Sequence, residues 1–303
     1  MTALDFEDFA TGMVEAGSTR IFARWGGAGR PLLLLHGFPE THLMWRSIAP
    51  ILARDHFVVC ADLRGYGASE CPSSDPAHEA YSKRAMARDM VEMMASLGHP
   101  RFAVAGHDRG GRVAYRLALD HPGRCACLAV LDVLPVSEAW DRADARLALG
   151  YWPWSLLALE HSLPELVLQR LARAVVDAAF DGWGSAPEAF PEEVRKAYAQ
   201  ALEDPAHARA ICEEYRAAAT TDRWHDELDR AGDRRITCPV TPLWSSRGPL
   251  GQWYADAGGP LGIWRRWATQ VTGQAVEAGH FFPEELLRQT AQMLTRSVSA
   301  ATW

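Results

Sequence analysis

The sequence predicts an α/β domain, with a mostly parallel central sheet flanked by helices and a helical insertion placed late in the chain. Three observations carry this prediction. Continuous apolar runs of four or five residues recur, as expected of strands buried on both faces of a parallel sheet. Stretches with apolar residues at three- and four-residue spacing alternate with them, as helices covering such a sheet do. After Pro135 this alternation stops, and a helical pattern holds until about Arg235. A length of 303 residues suits one α/β domain with an insertion. With 48% apolar and 23% charged residues, the composition excludes disordered and fibrous classes.

Taken in order, Phe9–Glu15 and Thr19–Trp25 alternate apolar with polar residues and read as a β-hairpin. Pro31–Leu35, Phe57–Ala61, Phe102–Ala105, Cys127–Leu131 and Val240–Trp244 are the buried strands. Lys83–Leu97 and Gly111–Leu119 are helices between them, and Trp140, Trp152, Trp154, Trp183 and Trp224 are scattered through the later helical stretch. The expected division is a sheet-bearing core of residues 1–135 and 236–303, with residues 136–235 as a helical insertion. No internal repeat or low-complexity linker interrupts it.

Formal charge is 31 − 38 = −7, which repels phosphate backbones and argues against nucleic acid as a partner. Local arginines can still receive a small anion. The six cysteines (Cys60, Cys71, Cys125, Cys127, Cys212 and Cys238) lack C-x-x-C spacing and read as reduced, structural thiols. No metal or cofactor is expected. The first ten residues lack the basic and apolar regions of a signal peptide. No apolar run approaches the roughly 20 residues that span a bilayer, so a cytosolic protein without a membrane partner is expected.

The chemistry concentrates where the strand Phe102–Ala105 runs into Gly106-His107-Asp108-Arg109-Gly110-Gly111 and then a helix near Arg112. This is the strand–turn–helix setting of a nucleophile elbow, with aspartate where serine is usual. The competing reading is a bare helix cap, but the flanking glycines exceed what a cap requires. A carboxylate is already ionised at neutral pH. It is poor at acyl transfer, because the anhydride falls back, yet competent in displacement at an sp3 carbon. Alkyl halides or epoxides follow as substrates, through an alkyl ester that an activated water must hydrolyse.

That water needs a histidine–carboxylate pair. Gln274-Ala-Val-Glu-Ala-Gly-His280 reads as a strand and a loop carrying the base, whereas His36, His42 and His121 read as structural. The strand ending at Trp244 is followed by Ser-Ser-Arg-Gly-Pro-Leu250, with no acid. The preceding one ends Ala129-Val-Leu-Asp132, which makes Asp132 the orienting acid unless it merely terminates the strand. The order Asp108, Asp132, His280 is nucleophile, acid, base. Backbone N–H groups near Phe38 and Arg109 are candidates for an oxyanion hole. Arg109 and Arg112, beside an anionic nucleophile, suit a substrate carboxylate held by charge-assisted hydrogen bonds. The alternative is that they pair with surface carboxylates.

These pieces together resemble the α/β-hydrolase-fold haloacetate dehalogenases, the group that includes fluoroacetate dehalogenase. The matching segments are His36-Gly-Phe-Pro-Glu-Thr-His-Leu-Met-Trp45, Asp62-Leu-Arg-Gly-Tyr-Gly67, Gly106-His-Asp-Arg-Gly-Gly-Arg112, Leu131-Asp-Val-Leu-Pro135, Cys212-Glu-Glu-Tyr-Arg216 and Gly279-His-Phe-Phe-Pro-Glu284. The first two are shared with epoxide hydrolases and haloalkane dehalogenases. The third is narrower, because those relatives usually carry tryptophan where Arg109 stands. The resemblance implies Asp108 as nucleophile, Asp132 and His280 as the base pair, and Arg109 with Arg112 as a carboxylate clamp. It also implies a halide pocket in a helical cap, which here would use Trp154 and Tyr215, with Pro153 where a histidine is expected. Chloride and bromide are therefore expected to leave more readily than fluoride. Epoxide hydrolysis or haloalkane dehalogenation on the same fold is the alternative activity, and a noncatalytic receptor would have lost the triad. A homodimer is implied by the resemblance alone.

Overall fold

Residues 32–35 show why the sheet forms in the interior. In the computed structural model Leu33 and Leu35 pack into one apolar cluster, and Leu32 and Leu34 into another on the opposite face. Val59 and Ala61 likewise oppose Val58 and Cys60, and Phe102 and Val104 oppose Ala103 and Ala105. A strand that is apolar at every position must be covered twice. The structure describes residues 6, 8–301 and 303. Most of the acidic N-terminal segment considered above lies outside them.

The eight strands are β1 (Ala10–Ala16), β2 (Thr19–Gly26), β3 (Arg30–Leu35), β4 (His56–Ala61), β5 (Phe102–His107), β6 (Cys125–Leu131), β7 (Val240–Ser245) and β8 (Gln274–Val276). They lie in the order β1-β2-β4-β3-β5-β6-β7-β8. β1 and β2 form the expected hairpin, β2 joins β4 antiparallel, and all later pairings are parallel. β3 lies between β4 and β5, so the chain reverses its winding direction at β3. Such a switch point opens a crevice at the carboxyl ends of the strands. The loop after β3 and the turn after β5 meet in that crevice.

One helix differs from expectation at its start. It runs Asp108–Asp120, beginning at the elbow aspartate itself and not near Arg112. Gly110 and Gly111 disfavour helix by propensity, but packing requires them there. A Cβ on Gly110 would lie 2.4 Å from the His36 carbonyl oxygen, and one on Gly111 would lie 2.6 Å from Val133 Cγ1. Between β6 and β7 the described residues form helices and no strand. The largest are Leu163–Gly182, Glu192–Glu203, Pro205–Ala219 and Thr221–Ala231. Buried residues from the first three of these helices join the cluster on the Leu33 face. All six cysteines are free thiols. No helix among the described residues is long and apolar enough to cross a membrane.

Candidate active site

Asp108 is the first residue of its helix and adopts φ +42°, a left-handed conformation that strains any residue with a Cβ. It makes no helix-capping bond; its Oδ2 instead accepts from Phe38 N at 3.2 Å. Phe38 reaches it because residue 37 is glycine, since a Cβ there would lie 2.7 Å from Asp108 Cβ. Burial alone would raise the Asp108 carboxyl, but His280, Arg109, Arg112 and His107 outweigh it and hold the group below the usual carboxylate range. The helix N-terminus adds to this. Asp108 is therefore an ionised, buried carboxylate at neutral pH.

Asp132 closes β6, also left-handed at φ +51°. Its Oδ1 accepts from Ser245 N at 2.8 Å, so the β7 strand end that lacks an acid supplies the backbone donor that fixes this one. Its Oδ2 lies 2.6 Å from His280 Nδ1. A carboxylate accepts here, so Nδ1 carries the proton and Nε2 is left as a base. His280 is held from two further sides: its N–H donates to the Trp183 carbonyl at 3.0 Å, and its carbonyl lies 2.9 Å from His107 Nε2.

Asp108, Asp132 and His280 line one cavity. Arg112, Leu134, Ala139, Leu147, Tyr151, Trp154, Leu250, Trp253 and Tyr254 complete its wall. Arg112 Nη1 donates to the Leu134 carbonyl, its guanidinium lies 4.3 Å from the Trp154 ring centre, and its buried Nε has no partner. Burial, Arg109 beside it contributing, lowers its affinity for the proton, against the pull of Asp108.

Arg109 is placed differently from the expectation of an open clamp. It is fully buried, and both its Nε and Nη2 bond Glu214, with Nε 2.8 and 2.9 Å from the two carboxylate oxygens. Only Nη1 is left without a partner. Tyr215 does not line the cavity; its ring centre lies 4.0 Å from the Arg109 guanidinium carbon, and its ring makes a T-shaped contact with Phe38. Pro153 is buried in the first turn of the helix Trp152–Leu157 and does not line the cavity. His36 and His42 are structural, as expected: Leu63 N donates to His36 Nε2 at 3.0 Å, and His42 bonds Asp62 at 2.8 Å.

Tyr151, which with Tyr215 is the donor the epoxide alternative would use, presents a buried hydroxyl without a partner to the cavity, with its ring 5.8 Å from that of His280. Sequence reading missed several other groups. Glu40 and His107 lie inside motifs already recognised, 3.2 Å apart beneath the base, which was the available signal. Leu250, Trp253 and Tyr254 come from the chain after β7, where no pattern marks them.

The comparisons with known proteins agree with this architecture. A family model described as the α/β hydrolase fold matches residues 30–156. A fluoroacetate dehalogenase from a Burkholderia species is 38% identical over 299 residues, covering 98% of this chain and 96% of that protein. A soluble epoxide hydrolase from a Corynebacterium species is 32% identical over 86% of each chain. Among solved structures, a protein from Nostoc classed as an α/β hydrolase superposes with a TM-score of 0.92, at 43% identity over 97% of this chain and 99% of that one. With identity sustained along almost its whole length and the same fold beneath it, this chain belongs to the α/β-hydrolase family and is a hydrolase of that fold.

Proposed function

We propose that the chain is a hydrolytic dehalogenase of short 2-haloacids such as haloacetate. The observation that carries this reading is an ionised aspartate at the elbow with Arg112 in the wall of the same cavity. The nucleophile sets displacement at an sp3 carbon, and the arginine sets an anionic substrate. The Burkholderia relative is consistent with it.

In this mechanism an Asp108 carboxylate oxygen attacks C2 of the haloacid, the carbon–halogen bond breaks and halide departs with its electron pair. Asp108 is then an alkyl ester. Water attacks the ester carbonyl carbon while His280 Nε2 takes its proton, and Asp132 stabilises the resulting imidazolium. The negative charge that develops on the Asp108 oxygen meets the Phe38 N–H, already within bonding distance. Collapse returns the carboxylate, carrying one oxygen from water, and releases the 2-hydroxyacid with the proton from His280. Residues 1–135 and 236–303 would form the catalytic core and 136–235 the cap over it. Trp154, with Tyr215 behind it, would receive the halide.

Epoxide hydrolysis is the second reading, favoured by the unpartnered Tyr151 hydroxyl in the cavity and by the Corynebacterium relative. The deciding experiment is halide release from chloro-, bromo- and fluoroacetate, with diol formation from a neutral epoxide as control. Halide release from the acids without diol formation supports the proposal. Diol formation without halide release overturns it in favour of the epoxide.

A further inference from the structure

Glu214 belongs to the helix Pro205–Ala219 of the insertion and has no exposed surface. It accepts from Lys83 Nζ, from the Tyr66 hydroxyl at 3.3 Å, and from Arg109. A buried ion pair of this kind is weak evidence for stability by itself. What distinguishes it is the edge of Arg109 that it occupies.

Glu214 takes the Nε–Nη2 edge, the Tyr215 ring covers one face at 4.0 Å, and the Trp154 ring centre lies 5.3 Å from the guanidinium carbon. These restraints hold the planar group in one orientation, with Nη1 as the spare donor. Arg112 is restrained in the same manner by the Leu134 carbonyl and Trp154, with Nε spare. Buried donors without acceptors are rare in folded proteins. Two of them on neighbouring arginines beside a carboxylate nucleophile call for an acceptor that arrives with a ligand.

We propose that Glu214 is a positioning residue for substrate recognition: by occupying one edge of Arg109 it leaves Nη1, with the neighbouring Arg112 Nε, as the donor free to take the carboxylate of an anionic substrate. The inference rests on the 2-haloacid reading above. It separates the two arginines by role, Arg112 lining the cavity and Arg109 being aimed by a residue of the insertion.

The test uses Glu214→Gln and Lys83→Met in the full chain, with two readouts. One is the KM and kcat for chloroacetate; the other is the rise in melting temperature caused by acetate, which needs no turnover. Glu214→Gln keeps the shape but loses the two-oxygen grip on Arg109. It should raise KM at least about tenfold, leave kcat within roughly threefold and abolish most of the acetate shift. Lys83→Met removes the other cation from Glu214 without freeing Arg109, and should leave KM within about twofold. Equal KM rises in the two variants would reduce Glu214 to a tie between insertion and sheet, and an unchanged KM in Glu214→Gln would likewise overturn the proposal. If Glu214→Gln does not fold, Glu214→Asp retains the charge but withdraws it by one methylene. That variant should raise KM several-fold, and wild-type behaviour in it overturns the proposal. A wild-type protein that neither releases chloride nor melts higher in acetate overturns the 2-haloacid reading and this inference with it. A wild-type protein that does both, matched by Glu214→Gln, overturns the inference alone.

Discussion

At the scale of single residues, the proposed chemistry separates into steps that substitutions can stop one at a time. His280→Ala removes the base but leaves Asp108 and Phe38 in place, so displacement should proceed and hydrolysis stall. Intact mass should then show one substrate-derived adduct on the peptide carrying Asp108, and a single wild-type turnover in 18O-water should label that carboxylate. Label confined to the product would mean that water attacks the substrate directly. The leaving group is governed by other residues. Fluoride concentrates its charge, and losing one preorganised donor costs roughly 2.7–4 kcal/mol, or about 100- to 1,000-fold in rate. Chloro- and bromoacetate should therefore outpace fluoroacetate. Pro153 sits in the first turn of its helix, where the missing N–H breaks no intrahelical bond. Pro153→His should then fold normally, and its longer side chain should reach the cavity that Pro153 does not line and raise fluoride release relative to chloride; an unchanged ratio would show that position 153 stays outside the cavity or that Tyr151 or Trp154 already supplies the donor.

At the scale of elements, the elbow and the strand ends were legible because their information is local. Apolar runs mark the strands, and G-x-D-x-G marks the turn within five consecutive residues. The helix start was misplaced at Arg112 because Gly110 and Gly111 signal a loop by propensity, whereas their contacts with the loop after β3 and with Val133 are tertiary. The Arg109–Glu214 pair spans 105 positions and was not legible: the alternative considered was pairing with surface carboxylates, whereas Glu214 is fully buried. Packing at the switch point gives a sharp prediction. In Gly37→Ala the new methyl would meet Asp108 Cβ at 2.7 Å and displace either the nucleophile or the Phe38 N–H. A misplacement of this order should lower kcat/KM about 100-fold, measured as halide release, with the fold retained by circular dichroism. Activity within threefold of wild type would mean that the loop yields without cost.

At the scale of the whole molecule, a buried polar layer lies beneath the base, built from residues inside recognised motifs whose meeting is tertiary. Burial pushes the Glu40 carboxyl up to about 7 against the pull of Glu284, and Glu284 is itself held well above the usual range by burial despite Arg46. His107 connects Glu40 to the His280 carbonyl. Because the folded protein favours protonated Glu40, its contribution to stability is complete below the ordinary glutamate pKa near ~4.3 and is lost as pH rises toward 7. Glu40→Gln fixes the neutral state. The stability of wild type relative to this variant should fall by up to about 3 kcal/mol across that window, read from urea midpoints at several pH values. A difference independent of pH would show that Glu40 does not titrate there. The insertion reaches this same region by its backbone. The His280 N–H is bonded to the Trp183 carbonyl, and a Cβ on Gly279 would come within 2.2 Å of Ser185 N. Residues 183–185 are thereby fastened to the backbone that carries the base, so a substitution that shifts Trp183 or Ser185 would shift His280 with them.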